Sequence, residues 1–111
     1  MTETSTPTWG IFGGSFDPPH RAHVLVVAWA LCEGVLDRVV VIPTARHAFG
    51  KQAGASFADR LAMCRLAFAV FPADRVVVDD IEGRRDGTSF MIDTLRELER
   101  RHPDTGLRLI V

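Results

Sequence analysis

The stretch Gly13-Gly14-Ser15-Phe16-Asp17-Pro18-Pro19-His20-Arg21-Ala22-His23 limits what this chain can fold into more than any other. A short apolar run, Trp9 to Phe12, leads into it, and the run Val24-Leu25-Val26-Val27-Ala28-Trp29-Ala30-Leu31 leaves it. The first reads as a buried strand, the second as a helix packed on most of its faces. Glycines at a strand–helix junction suit a tight turn that needs positive φ. Backbone N–H groups in such a turn can point outward at an anion. His20 and His23, three residues apart on the first helical turn, stand on one side of the helix. Together these features describe a polyphosphate cradle with two imidazoles at its lip.

The rest of the chain repeats the strand–helix alternation with short links. Residues 1–8 form a polar tail without the basic or apolar regions of a signal or transit peptide. Residues 9–111 form one domain. A helix is predicted from His20 to Glu33, with Asp17 placed to cap it, Pro18 and Pro19 suited to its start, and Gly34 as its C′ stop. Arg38 to Ile42, ended by Pro43, has the continuous β-branched pattern of a strand buried on both faces. Thr44 to Ser56 reads as a long loop carrying Arg46, His47 and Lys51. Phe57 to Phe71 reads as a helix with an apolar stripe of Leu61, Cys64, Ala67, Phe68 and Phe71. Val76–Val78 is a third strand, Asp79 to Thr88 a polar loop, Ser89 to Arg101 a third helix, and Leu107 to Val111 a fourth strand. The alternation predicts an α/β fold, a Rossmann-like parallel sheet with right-handed crossovers and helices on both faces. The sequence stops at an unshielded apolar strand, so a truncated domain is expected, its C-terminal elements missing and its edge open to pairing with another copy.

A formal net charge of -1 provides no global basic field for nucleic acid or membrane, so a polyanionic ligand must be held by local groups. No run is long enough to span a bilayer. Cys32 and Cys64, each among apolar neighbours, read as buried reduced thiols of a cytoplasmic protein. Trp29 and the Phe residues of the second helix are expected in the core. Arg60 is open between a salt bridge on its helix and a ligand contact. Asp79, Asp80, Arg84 and Arg85 read as a solvated loop, and His47 and His102 are unassigned.

Two phosphate-binding fingerprints fail. The turn Gly10-Ile11-Phe12-Gly13-Gly14 is not G-x-G-x-x-G, and the second strand ends in Pro43-Thr44 rather than an acidic residue. Gly50-Lys51 is followed by Gln52, and Ala45 stands where a P-loop has its first glycine.

The string Gly13-Gly14-x-Phe16-Asp17-Pro18-x-His20-x-x-His23 resembles the signature of HxGH-class nucleotidyltransferases. Ser89-Phe90-Met91-Ile92-Asp93-Thr94-Leu95 is similar to the S-Y-T-x-D-T-L segment of bacterial nicotinate-nucleotide adenylyltransferases. Ala22 replaces the glycine of HxGH, and Met91 replaces the branch's threonine. The sequence ends before the family's G-x-D segment, its aromatic nicotinate platform and its I-S-S-T-x-x-R motif.

The resemblance implies transfer of AMP from ATP to a mononucleotide phosphate, here nicotinate mononucleotide, with pyrophosphate released, as a step of NAD biosynthesis. It also implies a sheet order of 3-2-1-4. His20 and His23 would be catalytic. Gly13, Gly14, Ser15, Phe16, Asp17 and Lys51 would bind nucleotide with them, and Arg46, Thr88 and Ser89 would bind substrate. Mg²⁺ would arrive with ATP, with no protein-held metal. Two alternatives stay open: another HxGH adenylyl- or cytidylyltransferase, and a truncated, non-catalytic nucleotide-binding remnant.

Overall fold

The structure is a computed structural model that describes residues 6–45, 54–84 and 91–110. The apolar runs became strands: β1 (Thr8–Gly14), β2 (Arg38–Pro43), β3 (Val76–Val78) and β4 (Gly106–Ile110). They form one parallel sheet in the order β3-β2-β1-β4, as the resemblance implied. Alternation along the two central strands separates two cores. Phe12, Val39 and Val41 face α1 (Arg21–Cys32) and α2 (Phe57–Ala67), meeting Val27, Ala30 and Cys64. Ile11, Val40 and Ile42 face the other way and meet Ile81 and Leu98, the latter on α3 (Met91–Arg101). Helices therefore cover both faces. β1 and β2 are shielded on both sides because every residue from Val39 to Ile42 is apolar.

Several boundaries moved. The second helix ends at Ala67 and tightens into a 3-10 turn, Phe68–Val70, before Pro72. The segment read as a polar loop after β3 contains a second 3-10 turn, Ile81–Arg84, that buries Ile81 and Glu82. Glu82 accepts a hydrogen bond from the hydroxyl of Thr94 on α3, so a polar pair lies inside the second core where the pattern suggested solvent. Arg84 does face solvent, paired with Asp79 at 3.3 Å and Asp80 at 3.1 Å. Arg85 is outside the described residues, as are His47 and the start expected for the third helix, Ser89 and Phe90. Gly34, at φ 78°, terminates α1 as expected.

Two expectations of burial fail on α1. Trp29 is 66% exposed and Leu25 67% exposed, so this helix is packed along one stripe, through Val27 and Ala30, rather than on most faces. An all-apolar helix buries only what a neighbour covers, and Trp29 borders an open groove shared with Leu109 and Ile110 of β4. Cys32 is likewise exposed, whereas Cys64 is buried and its thiol pushed up to about 11, first by desolvation. His102 packs against the Trp9 ring at 4.6 Å, on the end of the sheet away from the signature.

Candidate active site

Strand order reverses between β1 and β4: β1 is followed outward by β2 and β3, and the chain then returns to β1's other side. In open α/β sheets the carboxyl ends of the strands at such a point form the ligand crevice. The signature begins there. Gly13 and Gly14 are the last residues of β1, in register with Ile42 and Pro43, so they end the strand rather than form the turn. Neither has positive φ; the left-handed residue is Phe16, at 49°. Gly13 instead allows a close approach: a Cβ there would meet the Met91 methyl at the start of α3, which would have to move aside.

Phe16 is buried in an aromatic nest, edge-on to Phe12 at 5.4 Å, His23 at 4.9 Å and Phe68 at 6.2 Å. Burial of this ring, of order 1.5–3 kcal/mol, offsets the cost of about 1–3 kcal/mol for a non-glycine residue in the left-handed region. The backbone turn is thus set by a buried side chain.

Asp17 does not cap α1. Its carboxylate accepts the Gly54 N–H at 2.5 Å and the Ala55 N–H at 3.2 Å, which ties the approach to α2 to the signature. The cap is made by the histidines themselves. His20 is the N-cap, its Nδ1 accepting the Ala22 N–H at 3.3 Å, while His23 Nδ1 accepts the His20 N–H at 3.0 Å. Two donors that a helix start leaves orphaned are therefore satisfied by two imidazoles. The consequence is chemical. A ring whose Nδ1 accepts a backbone N–H carries its neutral-form proton on Nε2, so each histidine keeps an Nε2–H donor to offer elsewhere. The two rings lie 4.1 Å apart at an interplanar angle of 34°. His23 is pulled below the ordinary histidine pKa, chiefly by desolvation and then by its neighbour His20.

Arg60, left open by the sequence, is neither on a salt-bridged helix surface nor free for a ligand. It is 3% exposed, and its NH1 donates to the carbonyls of Ser15 at 2.8 Å and Thr44 at 2.6 Å, its Nε to that of Ala55 at 3.2 Å. Thr44 in turn donates from its N–H to Gly14 O at 2.8 Å and from its hydroxyl to the same oxygen at 3.2 Å. A signal for Arg60 existed: at four residues before Cys64 and eight before Phe68 it falls on their apolar stripe, a place a guanidinium occupies only with partners.

The structure thus brings Gly13, Gly14, Ser15, Phe16, Asp17, His20 and His23 together at the ends of β1 and β2. Arg46, Lys51, Thr88 and Ser89 lie outside the described residues. Among the described residues no three His, Cys, Asp or Glu side chains gather to hold a metal ion, and no helix is long and apolar enough to cross a membrane.

A parallel α/β sheet with this strand order, and paired imidazoles at its switch point, defines a Rossmann-like class. Residues 11–110 match the cytidylyltransferase-like family model, and the chain belongs to that family. It is 48% identical over 103 residues to the probable nicotinate-nucleotide adenylyltransferase of Citrifermentans bemidjiense, covering 92% of this chain and 47% of that protein. The counterpart in Gemmatimonas aurantiaca is 43% identical over 102 residues, with the same coverage. The chain spans about half the length of the curated relatives it matches. A solved structure, Plasmodium falciparum nicotinic acid mononucleotide adenylyltransferase complexed with NaAD, superposes with a TM-score of 0.79 at 20% identity. The match covers 93% of this chain and 50% of that one, and shares the fold.

Proposed function

We propose that the chain is the ATP-gripping part of a nicotinate-nucleotide adenylyltransferase, moving AMP from ATP to the phosphate of nicotinate mononucleotide. The observation that carries this reading is the reciprocal histidine cap, which leaves two Nε2–H donors beside the carboxyl end of β1. The names of the 43–48% identical relatives support the choice of acceptor.

In this reading an acceptor phosphate oxygen attacks the α-phosphorus of ATP, and the bond to the β-phosphate breaks to release pyrophosphate. No covalent enzyme intermediate is needed, so the protein's contribution is positioning and charge stabilisation. Backbone N–H groups of Gly13 to Phe16 hold phosphate oxygens. His20 and His23 donate from Nε2 as charge builds on the oxygens of the transferring group. Each Nδ1 is committed to the cap, because a ring protonated at both nitrogens must give up its backbone N–H. Lys51, with Arg46, adds positive charge, and Thr88 and Ser89 contact the acceptor. Mg²⁺ would arrive with ATP and neutralise charge on its phosphates, since Mg²⁺ leans on phosphates rather than on a protein cage. The setting is the cytoplasm.

A second reading is nucleotide binding without turnover, with copies pairing through β4; the half-exposed Leu109 on that open edge favours it. Pyrophosphate release from ATP with nicotinate mononucleotide, measured alongside sedimentation, separates the two. The first reading expects turnover that falls by about 100-fold or more in His20→Ala and His23→Ala, in line with loss of transition-state donors. Turnover unchanged in both variants refutes it, and analogue binding by a turnover-free dimer establishes the second.

A further inference from the structure

Arg60 is a buried guanidinium whose three acceptors among the described residues are all main-chain carbonyls. Those carbonyls belong to three separate segments: Ser15 in the signature, Thr44 just past β2, and Ala55 ahead of α2. A planar fork with fixed donor directions can serve all three, whereas an ammonium is a point donor on a flexible stem. The Ser15–Phe16 and Thr44–Ala45 peptides are trans. In a planar trans peptide the C=O and the following N–H point in opposite directions. Drawing the Ser15 and Thr44 oxygens inward onto Arg60 therefore turns the Phe16 and Ala45 N–H groups away from it. Neither N–H donates to a main-chain carbonyl among the described residues.

We infer that Arg60 is a positioning residue of the nucleotidyl-transfer site, setting the peptide planes of Ser15–Phe16 and Thr44–Ala45 so that their N–H groups face a bound phosphate. Its charge lies on the inner side of the same turn, where it adds to the attraction of a polyanion without touching it. Asp17 works on the opposite side of one link, taking the Ala55 N–H while Arg60 takes the Ala55 carbonyl. This inference rests on the nucleotide reading above for the identity of the anion, but not for the geometry of the turn.

The test uses the full ¹⁵N-labelled chain, Arg60→Lys, Arg60→Met and a core control, Leu98→Ala, which lies in the opposite core. Two quantities are read: the Phe16 and Ala45 amide resonances without ligand, and the affinity for a non-hydrolysable ATP analogue. Displaced amides with affinity at least about tenfold weaker in Arg60→Met, less weakened in Arg60→Lys, and within about twofold of wild type in Leu98→Ala, support the inference. Unmoved amides in a folded Arg60 variant, or a Leu98→Ala loss as large as that of Arg60→Met, overturn it. Should Arg60→Met fail to fold, Arg60→Lys decides alone, since it retains the charge but not the fork. A wild-type chain that does not bind the analogue refutes the nucleotide reading, and Arg60 is then judged on the amide resonances alone.

Discussion

The two sides of β1 are built from similar residues and end in opposite states. Toward β2, nearly everything is tied: Val39, Val40, Val41 and Ile42 are buried, and Thr44, Arg60 and Asp17 hold the loops above them. Toward β4, Trp29, Val35 and Leu109 are exposed. A groove of about 360 Å³ runs between Trp29, Leu36 and Ile110. The hydrophobicity of the two sides does not distinguish them. What differs is whether another element lies over the apolar atoms, because the hydrophobic effect rewards area removed from water rather than apolar character as such. The candidate site sits on the tied side, which suits a constellation whose donors must already point the right way.

The sharpest way to break this contrast is to truncate one large side chain on each side. Ile42→Ala, at a buried position of β2, is expected to cost about 2–5 kcal/mol of unfolding free energy. Trp29→Ala, despite removing more atoms, is expected to cost under about 0.5 kcal/mol. Chemical denaturation measures both, and comparable losses would show that the β4 side is packed after all.

A smaller effect sharpens the tied side. Gly13→Ala brings a methyl against the end of the Met91 side chain, which must swing aside, and is expected to cost only about 0.5–1.5 kcal/mol. Met91→Ala in the same chain makes room and returns most of that loss, which a double-mutant cycle reads directly. Two penalties that simply add would mean that Gly13 is required for something other than this approach.

The smallest effect concerns pH. The unfolded chain takes up a proton at His23 near pH 6.5, whereas the folded chain, with the lowered pKa, resists it. The unfolded state binds more protons between the lowered value and 6.5, so stability rises with pH through that window and is lost as the solution is acidified through it. His23→Gln should flatten this slope, as followed by thermal unfolding at pH 5 to 8. An unchanged slope assigns the dependence to another group.

How much of this was legible in the sequence depends on the range of the interaction. Element order, the stop at Gly34 and the β-branched core of β2 follow from local pattern, and they were all readable. So was the signature, because its residues are contiguous. Its internal wiring was not: the glycines were read as the turn and Asp17 as the cap, yet Phe16 carries the left-handed backbone and His20 and His23 cap each other. A string of residues names the participants, while the bond each one makes depends on where loops 37 and 45 residues away return.

By itself, then, the sequence determined the alternation of strands and helices and the presence of the family's signature, since both are written in neighbouring residues. Tertiary structure alone decided that Trp29 faces water and Arg60 does not, although an indole is the more apolar group. Burial is a property of what packs above a side chain. A charge can be interior wherever the fold delivers enough carbonyl oxygens to satisfy it.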